Sequence, residues 1–279
     1  MFNTPHLDAL SVEQVSIEHF LTLYRGETYE EPSLEGFKEF FSGLNTSVRE
    51  IATRCSAWFR LRPPVTDVNA VKRALDSKDI TFDQVMAMEV PTLPHTKDLV
   101  SVLVERLETK EKILADVKAM IPKAVQRYSG YINRADRLGN TLPDASIWNG
   151  FKHDYAAICD ADQAVFVSEA REGLAEFDTQ YTSLGDYVNV GQRLDRLNAA
   201  IHAQRPSRVK EDVDRLSGVI DRLQKATKEH ALPDAWKQAI GDDVLQLARW
   251  IEYYAITVYQ LMQLTQVVVA TGKLLKDAR

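Results

Sequence analysis

Residues 34–58 read LEGFKEFFSGLNTSVREIATRCSAW, and their apolar members fall at Leu34, Phe37, Phe41, Leu44, Val48, Ile51, Cys55 and Trp58. The steps alternate three and four throughout. This spacing lays one continuous apolar seam along a helix, and such a seam is stable only when packed against another helix. Comparable stripes recur toward the C-terminus. The chain is therefore expected to be mainly α, an elongated bundle of long helices with minor or no β structure.

Composition agrees. The 279 residues are 45% hydrophobic and 27% charged, an ordinary globular balance with enough chain for a large core. Gly (12) and Pro (10) are too scarce for a fold built on many turns. The formal net charge of −6 argues against coating a nucleic acid, and the basic stretches Arg60 to Arg62 and Arg205 to Lys210 read as solvated helix ends. Cys55 and Cys159 indicate no disulfide framework, which points to a reducing compartment. The opening MFNTPHLDALSVEQ lacks the basic start and apolar stretch of a signal peptide.

Working outward from the seam, residues 1–32 form an N-terminal arm and short helix, with Ser11 and Gln14 as a capping box. Residues 33–279 are expected to be one bundle domain with a possible sub-boundary near 139–145. Ser33 caps the seam helix and Pro63-Pro64 stops it. A short helix follows over Thr66 to Lys78, then a helical turn or small hairpin and an extended loop up to His95. Leu99, Leu103, Leu107, Leu114, Val117, Ile121, Val125, Tyr128 and Ile132 share one helical register, and Pro122 should kink that helix. A helix is expected over Ala164 to Phe177, although AVFVSE is locally strand-like. Short strand is otherwise allowed near 79–92 or 164–168. Leu184 to Gln204 and Val209 to Lys228 read as helices forced antiparallel by a short connector. A last helix begins at Pro233-Asp234, bends or breaks at Gly241, and runs to about Lys276.

No constellation assembles into a catalytic, cofactor or metal site. The six histidines offer no Glu-x-x-His pair. Asp160-Ala161-Asp162 begins like a calcium loop but has Val165 and Arg171 where glycine and glutamate are required. Nucleophile-elbow, P-loop and dinucleotide fingerprints are absent, and the closeness of Cys159 to His153 is more simply spacing than a dyad. The chain is read as a non-enzyme with no cofactor.

Tyr253 to Ala270 carries no formal charge and approaches membrane-spanning length. Gln260, Gln263 and Gln266 interrupt it, which suits a bundle helix or subunit seam better than a lipid-facing span. Tyr259, Gln263 and Gln266 thus mark a possible assembly surface.

The layout resembles the internal head proteins of large contractile-tailed bacteriophages. The resemblance rests on Ser33-Leu34-Glu35-Gly36-Phe37 with Phe40-Phe41, the Glu89-Val90-Pro91-Thr92-Leu93-Pro94 loop, a long helix closing at Tyr131 to Leu138, and Phe177-Asp178-Thr179-Gln180-Tyr181 before a helix pair and an apolar last helix. It implies a non-enzymatic structural protein of the virion, held in the capsid interior by contacts with itself and other virion proteins, and present in the host cytoplasm before assembly. It also implies a possible processing site at Glu35-Gly36, against which Ser33 simply caps a helix. Two other classes fit the same residues: a helical pore-forming or membrane-active protein using 253–270, and a cytosolic helical adaptor.

Overall fold

A computed structural model describes residues 68–78, 80–92, 99–133, 147–148, 150–153, 158, 173–229 and 234–278. The seam of residues 34–58, the arm before it, the Glu35-Gly36 pair and the possible sub-boundary near 139–145 lie outside the described residues. The described part is mostly helix. Its elements are α1 (Val68–Ser77), α2 (Phe82–Met86), β1 (Glu89–Thr92), α3 (Val100–Ile132), β2 (Gly173–Glu176), α4 (Phe177–Gln180), α5 (Leu184–Ala203), α6 (Pro206–Glu229) and α7 (Asp234–Asp277).

The two longest helices organise the rest. On α3 the buried positions Leu103, Leu107, Lys110, Leu114, Val117, Ile121, Ala124 and Tyr128 keep the three-four alternation predicted from sequence. Pro122 is exposed and lies inside the helix without ending it. Proline leaves one carbonyl of the preceding turn without its amide partner, and on an outward face water can supply that bond.

α7 is 44 residues long and continues through Gly241, where a bend or break was expected; it is not broken there. Gly241 costs helix propensity by about 1 kcal/mol, and burial of Ile240, Val244, Leu247 and Ala248 beside it outweighs that. Between Trp250 and Met262 the buried residues, Trp250, Ile251, Tyr254, Val258 and Leu261 among them, cover a broad side of this helix. A side that wide can pack against several neighbouring elements at once.

α7 packs against α1, α3, α5 and β1, while α3 also receives α5 and α6. The short connector was expected to turn α5 and α6 antiparallel; the main contact of each is with α3. Each lays its apolar stripe there. The connector between them turns through Arg205, whose φ of 53° lies in the left-handed region. Such a residue redirects the chain abruptly, so short connector length alone does not fix how the flanking helices pack.

Local caps set the helix starts. Thr81 and Gln84 form a capping box on α2, with the Gln84 amide donating to Thr81 Oγ1 (3.3 Å) and the Thr81 amide to Gln84 Oε1 (2.8 Å). Ser183 Oγ accepts the Asp186 amide at the start of α5 (3.0 Å). Lys78 Nζ donates to the carbonyls of Lys276 (2.6 Å) and Ala278 (2.7 Å), tying the end of α1 to the negative end of α7.

The strand content is a two-stranded antiparallel ribbon in which Glu89, Val90, Pro91 and Thr92 face Glu176, Ala175, Leu174 and Gly173. β1 falls inside the region where strand was allowed from sequence. Its partner corrects the expected helix over Ala164 to Phe177, because residues 173–176 are extended. Leu, Ala and Glu favour helix locally, but pairing across a long sequence separation overrides so short a preference. Val90 is fully buried and anchors the ribbon on α7. Residues 164–168 lie outside the described residues. One core cluster runs through the helices and the ribbon, from Val71 and Val90 to Leu275.

Candidate functional site

The apolar stripe of α3 is interrupted between Leu107 and Leu114 by Lys110, which nonetheless occupies a core position and is only 4% exposed. Its ammonium nitrogen lies 5.7 Å from the centre of the Tyr253 ring on α7, within cation–π range. Tyr253 meets Trp250 edge-on (5.6 Å between ring centres), Trp250 meets Phe151 (5.0 Å), and Phe151 meets Trp148 (5.2 Å). Edge-to-face rings add about 0.5–1.5 kcal/mol per pair beyond the area they bury. Trp148 and Phe151 are thereby held on α7 by rings.

His153 closes the cluster. Its Nε2 lies 2.8 Å from Asp116 Oδ2 on α3, and its ring stands edge-on to Phe151 (5.1 Å) and Trp250 (6.2 Å). A carboxylate that orients an imidazole is one half of a nucleophilic triad. The other half would be a serine or cysteine on the far ring nitrogen. Cys159 lies outside the described residues. The arrangement can hold a proton between His153 and Asp116, and it fixes the 147–153 segment to α3.

A second polar cluster joins α5, α7 and the short helix α4. Tyr187 donates its hydroxyl to the Val268 carbonyl of α7 (3.1 Å). Asn198 Nδ2 donates to Thr265 Oγ1 (3.0 Å), which in turn donates to the Leu261 carbonyl one turn back (2.7 Å). Burial pushes the phenols of Tyr128, Tyr181 and Tyr187 above the ordinary tyrosine range. On the flank, Arg193 grips Glu108 through two nitrogens (3.1 and 2.7 Å). That bidentate pair, with the Arg193 charge, holds the Glu108 carboxyl below its usual value against a smaller opposing effect of burial.

Of the residues singled out from sequence, Gln263 and Gln266 lie on α7 and are half-buried, on the same side as half-buried Val267 and Ala270. Tyr259 is part of the same helix, and its side chain lies outside the described residues. Gln260, the third glutamine of the stretch, is buried at 6% exposure. The seam residues Leu34 to Trp58, with Glu35 and Gly36, also lie outside the described residues. The Lys110–His153 cluster was missed from sequence because its members come from three separate segments. The one local signal was a lysine at a core position of a helical stripe.

No helix among the described residues is long and apolar enough to cross a membrane, and no group of three or more potential metal ligands occurs among them. Compared with known protein families, characterised proteins and solved structures, the chain matches none.

Proposed function

We propose that this protein is a non-enzymatic structural component, an elongated helical bundle that works through helix–helix contacts and belongs to the virion of a contractile-tailed bacteriophage. The observation that carries the structural part is the use made of the reactive side chains. Lys110 lies over the Tyr253 ring of α7, Tyr187 bonds α5 to α7, and His153 with Asp116 fastens the 147–153 segment to α3. A group placed to fasten helices has its geometry fixed by packing, which suits a scaffold. The half-buried, uncharged side of α7 at Gln263 and Gln266 supports a further contact with another copy or another virion protein.

The capsid-interior location rests on the layout resemblance. Mass spectrometry of purified phage particles from a lysate expressing this chain tests it, with intact particles treated with protease beforehand to remove surface-bound protein. Recovery of the polypeptide at several copies per particle is expected. Its absence from particles while abundant in the lysate would refute the virion reading and favour the adaptor class. Leakage from liposomes on adding the protein would instead favour the membrane-active class.

A further inference from the structure

Among the described residues the outer edge of β2 is open. The amide of Phe177 donates to the Met88 carbonyl (2.8 Å), in line with the register Glu89–Glu176. In an antiparallel ladder hydrogen-bonded and non-hydrogen-bonded pairs alternate, so Val90–Ala175 is bonded and Pro91–Leu174 is not. Pro91 thus stands where no amide is needed toward β2, and its missing N–H blunts the outer edge of β1. Leu174 by the same parity points its N–H and C=O away from β1. Neither group has a hydrogen-bond partner among the described residues. The edge ends at Glu176, whose carbonyl accepts the Thr179 hydroxyl (2.7 Å).

The ribbon is also two-faced. Val90 is buried and Thr92 bonds to Gln180 (2.8 Å), so that side faces the protein. The other side carries Glu89, Pro91, Leu174 and Glu176. Leu174 is 63% exposed and Phe82, on neighbouring α2, is 55% exposed; among the described residues these are the large apolar side chains left in solvent. The segments 82–92 and 173–180 carry four acids, Asp83, Glu89, Glu176 and Asp178, all exposed, and no base. Glu89 and Glu176 are directly opposite, an arrangement that costs stability by itself.

We propose that the outer edge of β2 receives, as a third strand, an extended segment of a partner polypeptide that carries basic residues flanking an apolar one. The open N–H and C=O of Leu174 supply main-chain pairing, Leu174 supplies an apolar contact, and Glu176 with its acidic neighbours selects positive charge. A second copy of this chain is a poor occupant, because a twofold contact would set these four acids against the same four. This inference stands on the surface alone and is independent of the virion reading.

The test uses the full chain and the capped peptide Lys-Thr-Leu-Thr-Lys, paired antiparallel to β2 with its leucine opposite Leu174. Binding is read from the amide resonance of Leu174 in nitrogen-15 spectra. A saturable shift is expected, with affinity about ten-fold weaker for Glu-Thr-Leu-Thr-Glu, the scale set by a few exposed ion pairs. Methylating the leucine amide of the peptide should abolish binding, since that nitrogen would face the Leu174 carbonyl. Glu176→Lys, with an unchanged circular dichroism spectrum, should reverse the preference between the two peptides. No saturable shift, equal binding of the methylated peptide, or no preference for lysine would each overturn the proposal. A Leu174 shift that follows protein concentration without peptide would overturn it in favour of self-pairing.

Discussion

Replacing Gly272 by alanine sets two effects in opposition, and their balance can be worked out. Alanine is the better helix former, so the change alone favours α7 by about 1 kcal/mol. A β-carbon built at this position, however, comes 2.3 Å from the Tyr187 hydroxyl oxygen. That oxygen must retreat by roughly 1 Å to reach ordinary contact, which opens its 3.1 Å bond to the Val268 carbonyl. Tyr187 is fully buried, so no water replaces the bond. An unsatisfied buried hydroxyl costs about 1–3 kcal/mol, and shifting a ring in a packed core costs about as much again. The net expectation for Gly272→Ala is a loss of about 2–4 kcal/mol, read as a lower urea midpoint at unchanged slope. The double variant isolates the cause. With Tyr187→Phe the hydroxyl is gone, and the nearest remaining atoms are Tyr187 Cζ at 3.5 Å and Val71 Cγ2 at 3.6 Å, both ordinary contacts. Adding Gly272→Ala to Tyr187→Phe should then be neutral or slightly stabilising. Additive losses in the double variant, or a single Gly272→Ala variant as stable as the parent, would refute the seating of the tyrosine against this glycine.

Other expectations follow from the same packing. Trp250→Ala removes a fully buried ring that touches Phe151, His153 and Tyr253, and should cost about 3–5 kcal/mol in urea unfolding, with loss of near-ultraviolet dichroism. Glu108 is held below its usual pKa, so its pairing with Arg193 stabilises above the ordinary carboxylate range and is lost as pH falls through the depressed value. Glu108→Gln should accordingly lower the urea midpoint at pH 7 and narrow its difference from the parent in acid; an equal difference at pH 7 and pH 2 would count against this. Charging Gln263 and Gln266 to glutamate should leave helix content intact and weaken any self-association seen by sedimentation, and a monomer before and after the change would reduce this side of α7 to intramolecular packing.

The parts of the fold that could be read from sequence are those decided by periodicity. The stripes from Leu103 to Tyr128, from Val209 to Leu223 and along α7 appear at the predicted positions, because burying one side of a helix needs the three-four spacing whatever the partner is. Readings that rested on one residue or one connector carried less. Gly241 was expected to bend or break α7, and the helix continues through it; the short connector was expected to set α5 and α6 antiparallel, and each has its main contact with α3. The strand at Gly173–Glu176 was invisible for the opposite reason. Its pairing partner lies at Glu89–Thr92, and no local pattern reports a contact across that separation.

Lys110 shows how a site of this kind escapes linear reading, and also how it could be caught. Counting by threes and fours from Leu107 places position 110 on the buried side, where a lysine is unfavourable unless its charge is met. The long apolar stem can pack among neighbours while the ammonium group lies over the face of Tyr253, so the cost is offset by ring contact and packing together. From Tyr253 the ring contacts continue through Trp250 to Phe151, Trp148 and His153, and the imidazole is held by a carboxylate, Asp116, further along α3. A charged residue at a seam position thus asks for an aromatic face opposite it. Periodicity says that a helix is buried, and the exception within the stripe says what it is buried against.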